Sequence, residues 1–260
     1  MSSLSKRERN MHTMKSVFIT GATSGIGRII TEVLIREGYH VYATGRNKSV
    51  LMTLQQQGAK VIQADLQKTE DIVKVCEQLP PIDVAIINAG VGVFQNAVDL
   101  MDEEIEAMID LNIKAPILLT QRLAKNMIQQ KSGHFIFIGS QAGKVATKKA
   151  SVYAASKHAI TGFTNGLRME LAPYNINVST IYPGPIDTPF LDKADATNSY
   201  RQTMKRFLLK PEKVANEVVY TIEKPVREVN LPRIMSITSK LYAIAPSLVE
   251  KLGSGFFNKK

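Results

Sequence analysis

The sequence predicts an α/β fold: a single doubly wound domain in which helices cover both faces of a parallel sheet of about six or seven strands. Short, β-branched apolar runs alternate with stretches of helical periodicity up to about residue 182, the pattern left by repeated β-α-β units. The apolar runs are nearly continuous rather than alternating with polar residues, as strands buried on both faces require. With 260 residues and 44% hydrophobic content, the chain is long enough to bury one sizeable core without dividing.

Strands are expected over residues 16–20, 40–44, 60–64, 84–87, 134–139 and 177–182, with helices near 25–37, 48–57, 68–78, 102–129 and 152–172. After Pro183 the rhythm changes. Pro185, Pro189, Asp192 and Asp195 mark an irregular segment suited to a substrate lid, followed by a helix near 211–223. Residues 1–14 carry Lys6, Arg7 and Arg9 but no apolar run, so they read as a basic, disordered arm and not a secretory signal. Met11 and Met14 leave the natural start open. The domain is expected to occupy 15–233. Residues 234–260 read as a basic amphipathic extension carrying Ile234, Met235, Leu241, Tyr242, Ile244, Leu248, Leu252, Phe256 and Phe257. The plainer account packs that extension on the domain or on a sister subunit. Peripheral membrane contact is the second reading, weakened by Pro246.

The net charge of +10 raises the question of a nucleic-acid partner, and its placement argues against one. Residues 1–16 hold four basic and one acidic residue, residues 200–260 hold twelve and five, and the stretch between them balances. The excess lies at the two ends and not along a central groove. One cysteine, Cys76, excludes an intrachain disulfide and suits a reducing cytoplasm; its place in the pattern Ile72, Val73, Val75, Cys76, Leu79 reads as a small apolar residue. His12, His40, His134 and His158 show no ligand spacing, so no metal is expected. No run approaches the ~20 apolar residues that cross a bilayer.

The first strand runs into Thr20-Gly21-Ala22-Thr23-Ser24-Gly25-Ile26-Gly27-Arg28 and then an apolar-periodic helix. Glycines there allow a tight turn and a close approach of backbone N–H groups to a pyrophosphate at the positive helix end. The spacing Gly-x-x-x-Gly-x-Gly differs from the commoner Rossmann fingerprint, but its place between strand and helix points to a dinucleotide. The second strand ends in Thr44-Gly45-Arg46-Asn47, where an acidic residue would accept from a ribose 2′-hydroxyl. Gly45 removes bulk and charge instead, and the Arg46 fork matches a 2′-phosphate, so NADP(H) is expected over NAD(H).

Tyr153 and Lys157 lie four apart at the start of a predicted helix, which puts a phenol and an ammonium on one face. A free tyrosine has a pKa of about 10, and a nearby cation is expected to lower it toward the range useful for proton exchange. With Ser140 thirteen residues upstream, the chain now resembles the short-chain dehydrogenase/reductase family in its compact single-domain branch. The matching positions run in order from residue 16 to 188: Thr20-Gly21-x-x-x-Gly25-Ile26-Gly27, Asp65-Leu66, Asn88-Ala89-Gly90, Asn112, Ser140, Tyr153-x-x-x-Lys157 and Pro183-Gly184-x-x-x-Thr188.

The resemblance implies a Rossmann-type, doubly wound domain that moves a hydride between NADP(H) and a carbonyl/alcohol pair. Tyr153 would be the general acid or base, and Lys157 would support it and hold the nicotinamide ribose. Ser140 would hydrogen-bond the substrate oxygen, and Asn112 would anchor a relay water. Gly21, Thr23, Ser24, Gly25, Ile26 and Gly27 would cradle the phosphates, Asp65 and Leu66 would meet the adenine, and Asn88, Ala89 and Gly90 its ribose side. Pro183, Gly184, Ile186 and Thr188 would take the carboxamide. Ile87 and Gly139 depart from the family, which often has asparagine and serine there. Val91, Phe94, Val145, Phe190 and Leu191 suggest a medium-sized, fairly apolar small-molecule substrate. The resemblance also implies a homodimer or homotetramer packed partly through the helices near 102–129 and 152–172. An NADP(H) redox sensor acting through the basic ends is the competing reading, and a sugar-nucleotide epimerase would need more chain.

Overall fold

Alternate residues of a strand face opposite sides of a sheet, and the buried residues divide accordingly. Val17, Ile19, Ile136 and Ile138 pack into one apolar cluster, whereas Phe18, Phe135 and Phe137 pack into another on the opposite face. The computed structural model describes residues 15–252 except Ala196 and Asn198. The expected arm over 1–14 and the last eight residues of the extension lie outside the described residues.

In chain order the elements are β1 (Ser16–Thr20), α1 (Gly25–Arg36), β2 (His40–Gly45), α2 (Lys48–Gln56), β3 (Lys60–Gln63), α3 (Thr69–Gln78), β4 (Val84–Ile87), α4 (Asp102–Ile109), α5 (Ala115–Gln130), β5 (Gly133–Ile138), α6 (Ser151–Leu171), β6 (Ile176–Pro183), α7 (Pro189–Ala194), α8 (Ser199–Met204), α9 (Pro211–Glu223), β7 (Glu228–Leu231), α10 (Met235–Ile244) and α11 (Pro246–Leu252). The strands form one parallel sheet in the order β3-β2-β1-β4-β5-β6-β7. The order reverses between β1 and β4, and in doubly wound sheets ligands bind at the strands' carboxyl ends beside such a switch.

Besides the short helices α7 and α8, which lie in the segment expected to be irregular, two elements differ from the sequence reading. The edge strand β7, with the sequence EVNL, was not located from sequence because two of its four residues are polar and a proline precedes it; pairing with β6 holds it. The long helix expected over 102–129 is interrupted by a π turn, Asp110–Lys114. Pro116 follows at the start of α5. A proline has no amide N–H, so the α-helical donor to the carbonyl of Asn112 is missing.

Candidate active site

A cavity of about 930 Å³ opens at the carboxyl ends of the strands. Its floor is built from backbone. Gly21 adopts φ +69°, and a Cβ there would lie 2.9 Å from the Cα of Ala89. At Gly27 a Cβ would fall 2.3 Å from the carbonyl oxygen of Gly21, so neither position accepts a side chain without moving main chain. Thr20, buried at the end of β1, accepts from the backbone N–H groups of Asn88 and Ala89 at 2.9 Å each. Asn88 Nδ2 donates back to the Thr20 carbonyl at 2.9 Å. Asn88 therefore braces the glycine turn as well as lining the cavity. Helix α1 opens into the cavity with no acidic residue in its first turn and no side-chain cap from Ser24. Its first amides are free to meet an anion, which fits a dinucleotide pyrophosphate.

At the end of β2, a Cβ on Gly45 would lie 2.6 Å from the Thr23 methyl. Gly45 is small because Thr23 packs on it, a reason the sequence did not show. Arg46 is exposed on the cavity rim, while Asn47 accepts from Val50 N at 3.1 Å and caps α2. Asp65 lines the cavity and turns the chain into α3: its carboxylate accepts from Gln67 N at 3.2 Å, and its own N–H donates to Asp71 at 2.8 Å. That hydrogen bond, the largest influence on Asp71, holds its carboxyl below the usual range.

Every residue expected to contact the cofactor, from Gly21 to Thr188, lines this cavity together with Ser140, Tyr153 and Lys157. Asn112 stands behind the wall, fully buried. Its Nδ2 donates to the Val91 carbonyl at 2.8 Å and to Ser156 Oγ at 3.0 Å, and its Oδ1 accepts from Val91 N at 2.9 Å. The amide group thus ties the loop after β4 to Ser156 on α6. Ser156, which donates to the Tyr153 carbonyl at 2.7 Å, has no counterpart in the sequence reading. Lys157 Nζ donates to the Ile138 carbonyl at 3.2 Å and lies 5.9 Å from the Tyr153 ring centre. The ammonium reaches this depth beside Gly90, where a Cβ would stand 3.5 Å from it.

The expectation that Lys157 pulls the Tyr153 pKa down does not match the balance of forces. Burial pushes the phenol up to about 12, a hydrogen bond with Ser140 offsetting part of the rise. Burial likewise pushes Lys157 down to about 8. Both side chains are deeply buried, so loss of water disfavours each charged form. At neutral pH Tyr153 is a protonated phenol, and Lys157 holds its proton only up to about pH 8.

Tyr153 sits in a box of rings. Phe94 and Phe190 lie 5.7 and 5.8 Å from it, and Tyr200 stacks edge-on against Phe94 at 5.0 Å. Val91, Val145 and Leu191 join the same apolar chamber, as their sequence positions suggested. The lid carrying Phe190 and Tyr200 is stitched by Arg201, which bonds both carboxylate oxygens of Asp192 at 2.9 and 3.1 Å, the Thr188 carbonyl at 2.7 Å, and Asp187. Tyr200 and the wall of Met235, Tyr242 and Val249 from α10 and α11 were missed. A signal for the wall existed, since those three residues recur every seven positions, two helical turns apart.

The two family departures also have local causes. Ile87 packs into the apolar cluster behind the sheet. At Gly139 a Cβ would lie 3.0 Å from the Tyr182 ring, which in turn receives the Lys144 ammonium at 4.0 Å.

Comparison with known proteins agrees with this geometry. The model of the family described as short chain dehydrogenase matches residues 15–199. An uncharacterized oxidoreductase of Staphylococcus aureus (strain USA300) is 34% identical over 230 residues, covering 85% of this chain and 96% of the relative. The closed form of a serine dehydrogenase complexed with NADP+ aligns with a TM-score of 0.77 at 29% identity, over 83% of this chain and 93% of that one. A short-chain dehydrogenase from Sphingobium yanoikuyae in complex with NADPH gives a TM-score of 0.78 at 25% identity, over 91% and 95%. The family match over most of the chain, with a parallel sheet whose switch point opens onto a glycine floor, makes this protein a member of the short-chain dehydrogenase/reductase family of oxidoreductases.

Proposed function

We propose that the chain is an NADP(H)-dependent reductase of apolar, medium-sized carbonyl compounds, with Tyr153 as its general acid. The observation that carries this reading is the buried Tyr153 at the junction of the glycine floor and the aromatic chamber. When bound, a reduced nicotinamide dinucleotide supplies the hydride. The residues that would hold it are the Gly21–Gly27 turn and α1 amides at the pyrophosphate, Arg46 at a 2′-phosphate, Asp65 and Leu66 at the adenine, and Ile186 and Thr188 at the carboxamide.

The rest of the chemistry belongs to the chain. Ser140 Oγ hydrogen-bonds the substrate carbonyl oxygen and orients it. Tyr153 gives that oxygen its Oη proton as negative charge develops there. The phenolate left behind is stabilised by the ammonium of Lys157, whose worth is raised by the low dielectric around it. Asn112 and Ser156 hold the loop after β4 and the first turn of α6 in register, so that Tyr153 does not drift. The rings of Phe94, Phe190 and Tyr200 exclude water from the transfer. The NADP+ and NADPH complexes of related structures support the choice of cofactor. We also assign a homodimer or homotetramer, consistent with the exposed apolar residues Ile109, Ile117 and Met169 on α4, α5 and α6.

The test is NADPH oxidation across a panel of aldehydes and ketones. Tyr153→Phe is expected to lose about 10²–10⁴-fold in kcat while NADPH binding is retained. Arg46→Ala should weaken NADPH far more than NADH. Full turnover by Tyr153→Phe would sink the proton-transfer assignment, and equal losses for the two cofactors would sink the 2′-phosphate assignment.

A further inference from the structure

Helices α10 and α11 are apolar on two faces, and only one of them faces the chamber. Met235, Tyr242 and Val249 point into the cavity. On the other side Ile237, Leu241, Ile244 and Leu248 recur at spacings of four, three and four residues, and all are more than half exposed, Ile244 at 83%. A surface helix normally puts its apolar stripe inward, and a contiguous outward stripe of this kind marks a contact surface.

The surroundings of the stripe are cationic. Arg233, Lys240 and Lys251 are exposed along it, and Lys205 and Arg206 are exposed beside Phe207, itself 54% exposed. Glu250, the one acidic residue in 233–252, is engaged by the Tyr242 hydroxyl at 2.8 Å. Phe207 and Ile234 line the chamber and yet are more than half exposed, so the chamber's mouth opens on this face. Among the described residues no helix is long and apolar enough to cross a membrane, which restricts any membrane contact through a helix here to the surface.

We propose that the α10–α11 face docks on an anionic lipid bilayer, with the aliphatic stripe entering the headgroup boundary and the cations meeting lipid phosphates. The chamber then takes its carbonyl substrate from the lipid phase. This second step rests on the reductase reading above, but the docking does not. Charge selects the occupant: a second copy laid on the stripe would set cations against cations, whereas an anionic surface neutralises them. The break at Ala245, where α10 ends and Pro246 opens α11, suits two short segments lying on a plane.

The experiment is co-sedimentation of the full chain with vesicles of phosphatidylcholine alone or mixed with phosphatidylglycerol, at low and high salt. Binding is expected with the anionic vesicles, at least about tenfold weaker with neutral ones, and reduced at high salt. The triple variant Ile237→Ser/Leu241→Ser/Ile244→Ser, which touches no chamber-lining residue, should lose about tenfold or more in vesicle affinity with NADPH binding unchanged. Equal binding to neutral vesicles, or an unaffected triple variant, overturns the proposal. So does an absence of vesicle binding, and a fall in the triple variant's oligomer size by sedimentation velocity would then identify the stripe as an interface between copies. Tyr153→Phe should bind vesicles like the wild type. If no carbonyl is turned over while vesicle binding is normal, the reductase reading fails and the docking stands. With turnover, the triple variant should be slow on a long-chain aldehyde carried in vesicles and normal on a short water-soluble one.

Discussion

The two sides of the cavity are built by different means. The cofactor side is backbone: glycines at positions where a Cβ would strike main chain, a threonine and an asparagine joining β1 to β4, and the bare start of α1. The substrate side is side chains: aromatic rings, an arginine holding the lid carboxylates, and two helices that lean on the mouth. A backbone site tolerates almost no substitution and specifies a ligand shared by many enzymes, whereas a side-chain site can change its contents without unfolding the sheet. Lys157 sits at the seam, and its buried ammonium is a cost to the fold that the proposed chemistry would use.

That cost makes the largest prediction. With a pKa of about 8 when folded against 10.5 in the ordinary case, the folded chain binds fewer protons than the unfolded one between those values. Stability therefore rises with pH across that window, and the ammonium costs roughly 3 kcal/mol below it. Replacing Lys157 with Met should raise the Tm at neutral pH and lower kcat by about 10³-fold. A fall in Tm would mean that the bond to the Ile138 carbonyl outweighs desolvation. The same titration should make wild-type reduction level up to about pH 8 and decline above it, while Tyr153 stays protonated; a decline beginning well below pH 8 would contradict this order.

Gly27→Ala tests the backbone side. Its Cβ must displace the Gly21 carbonyl, so about 1–3 kcal/mol of stability should be lost, together with most NADPH affinity in a binding titration. A variant with wild-type stability and affinity would show the floor to be adaptable. Arg201→Ala tests the lid and should be mildest, because its ion pairs are half exposed and such pairs contribute about 0–1 kcal/mol. Here KM for the carbonyl should rise several-fold with little change in Tm or NADPH affinity. A large loss of NADPH binding would show that the lid and the floor are one unit.

Legibility followed the same division. The strands from β1 to β6 were readable within a residue or so at each end, because burial on both faces leaves a dense apolar signature in the sequence itself. That the glycine turn, Ser140, Tyr153 and Lys157 would line one cavity was readable for a related reason, since their motifs are defined by local spacing. What escaped was non-local. The seventh strand exists through pairing with β6, Gly45 through the packing of Thr23, and the clamp of Asn112 through Ser156, forty-four residues away. The π turn was in principle visible, because Pro116 stands four residues after Asn112 and removes the donor.

The sequence by itself determined the fold class and the family, because hydrophobic periodicity and turn chemistry are properties of neighbouring residues. Only the tertiary structure decided the electrostatics. Desolvation is set by what the rest of the chain packs around a group, and it raises the Tyr153 pKa where the neighbouring cation was expected to lower it. It also decided which face of α10 and α11 closes the chamber and which is left to solvent, since helical spacing supplies two apolar faces and packing chooses between them.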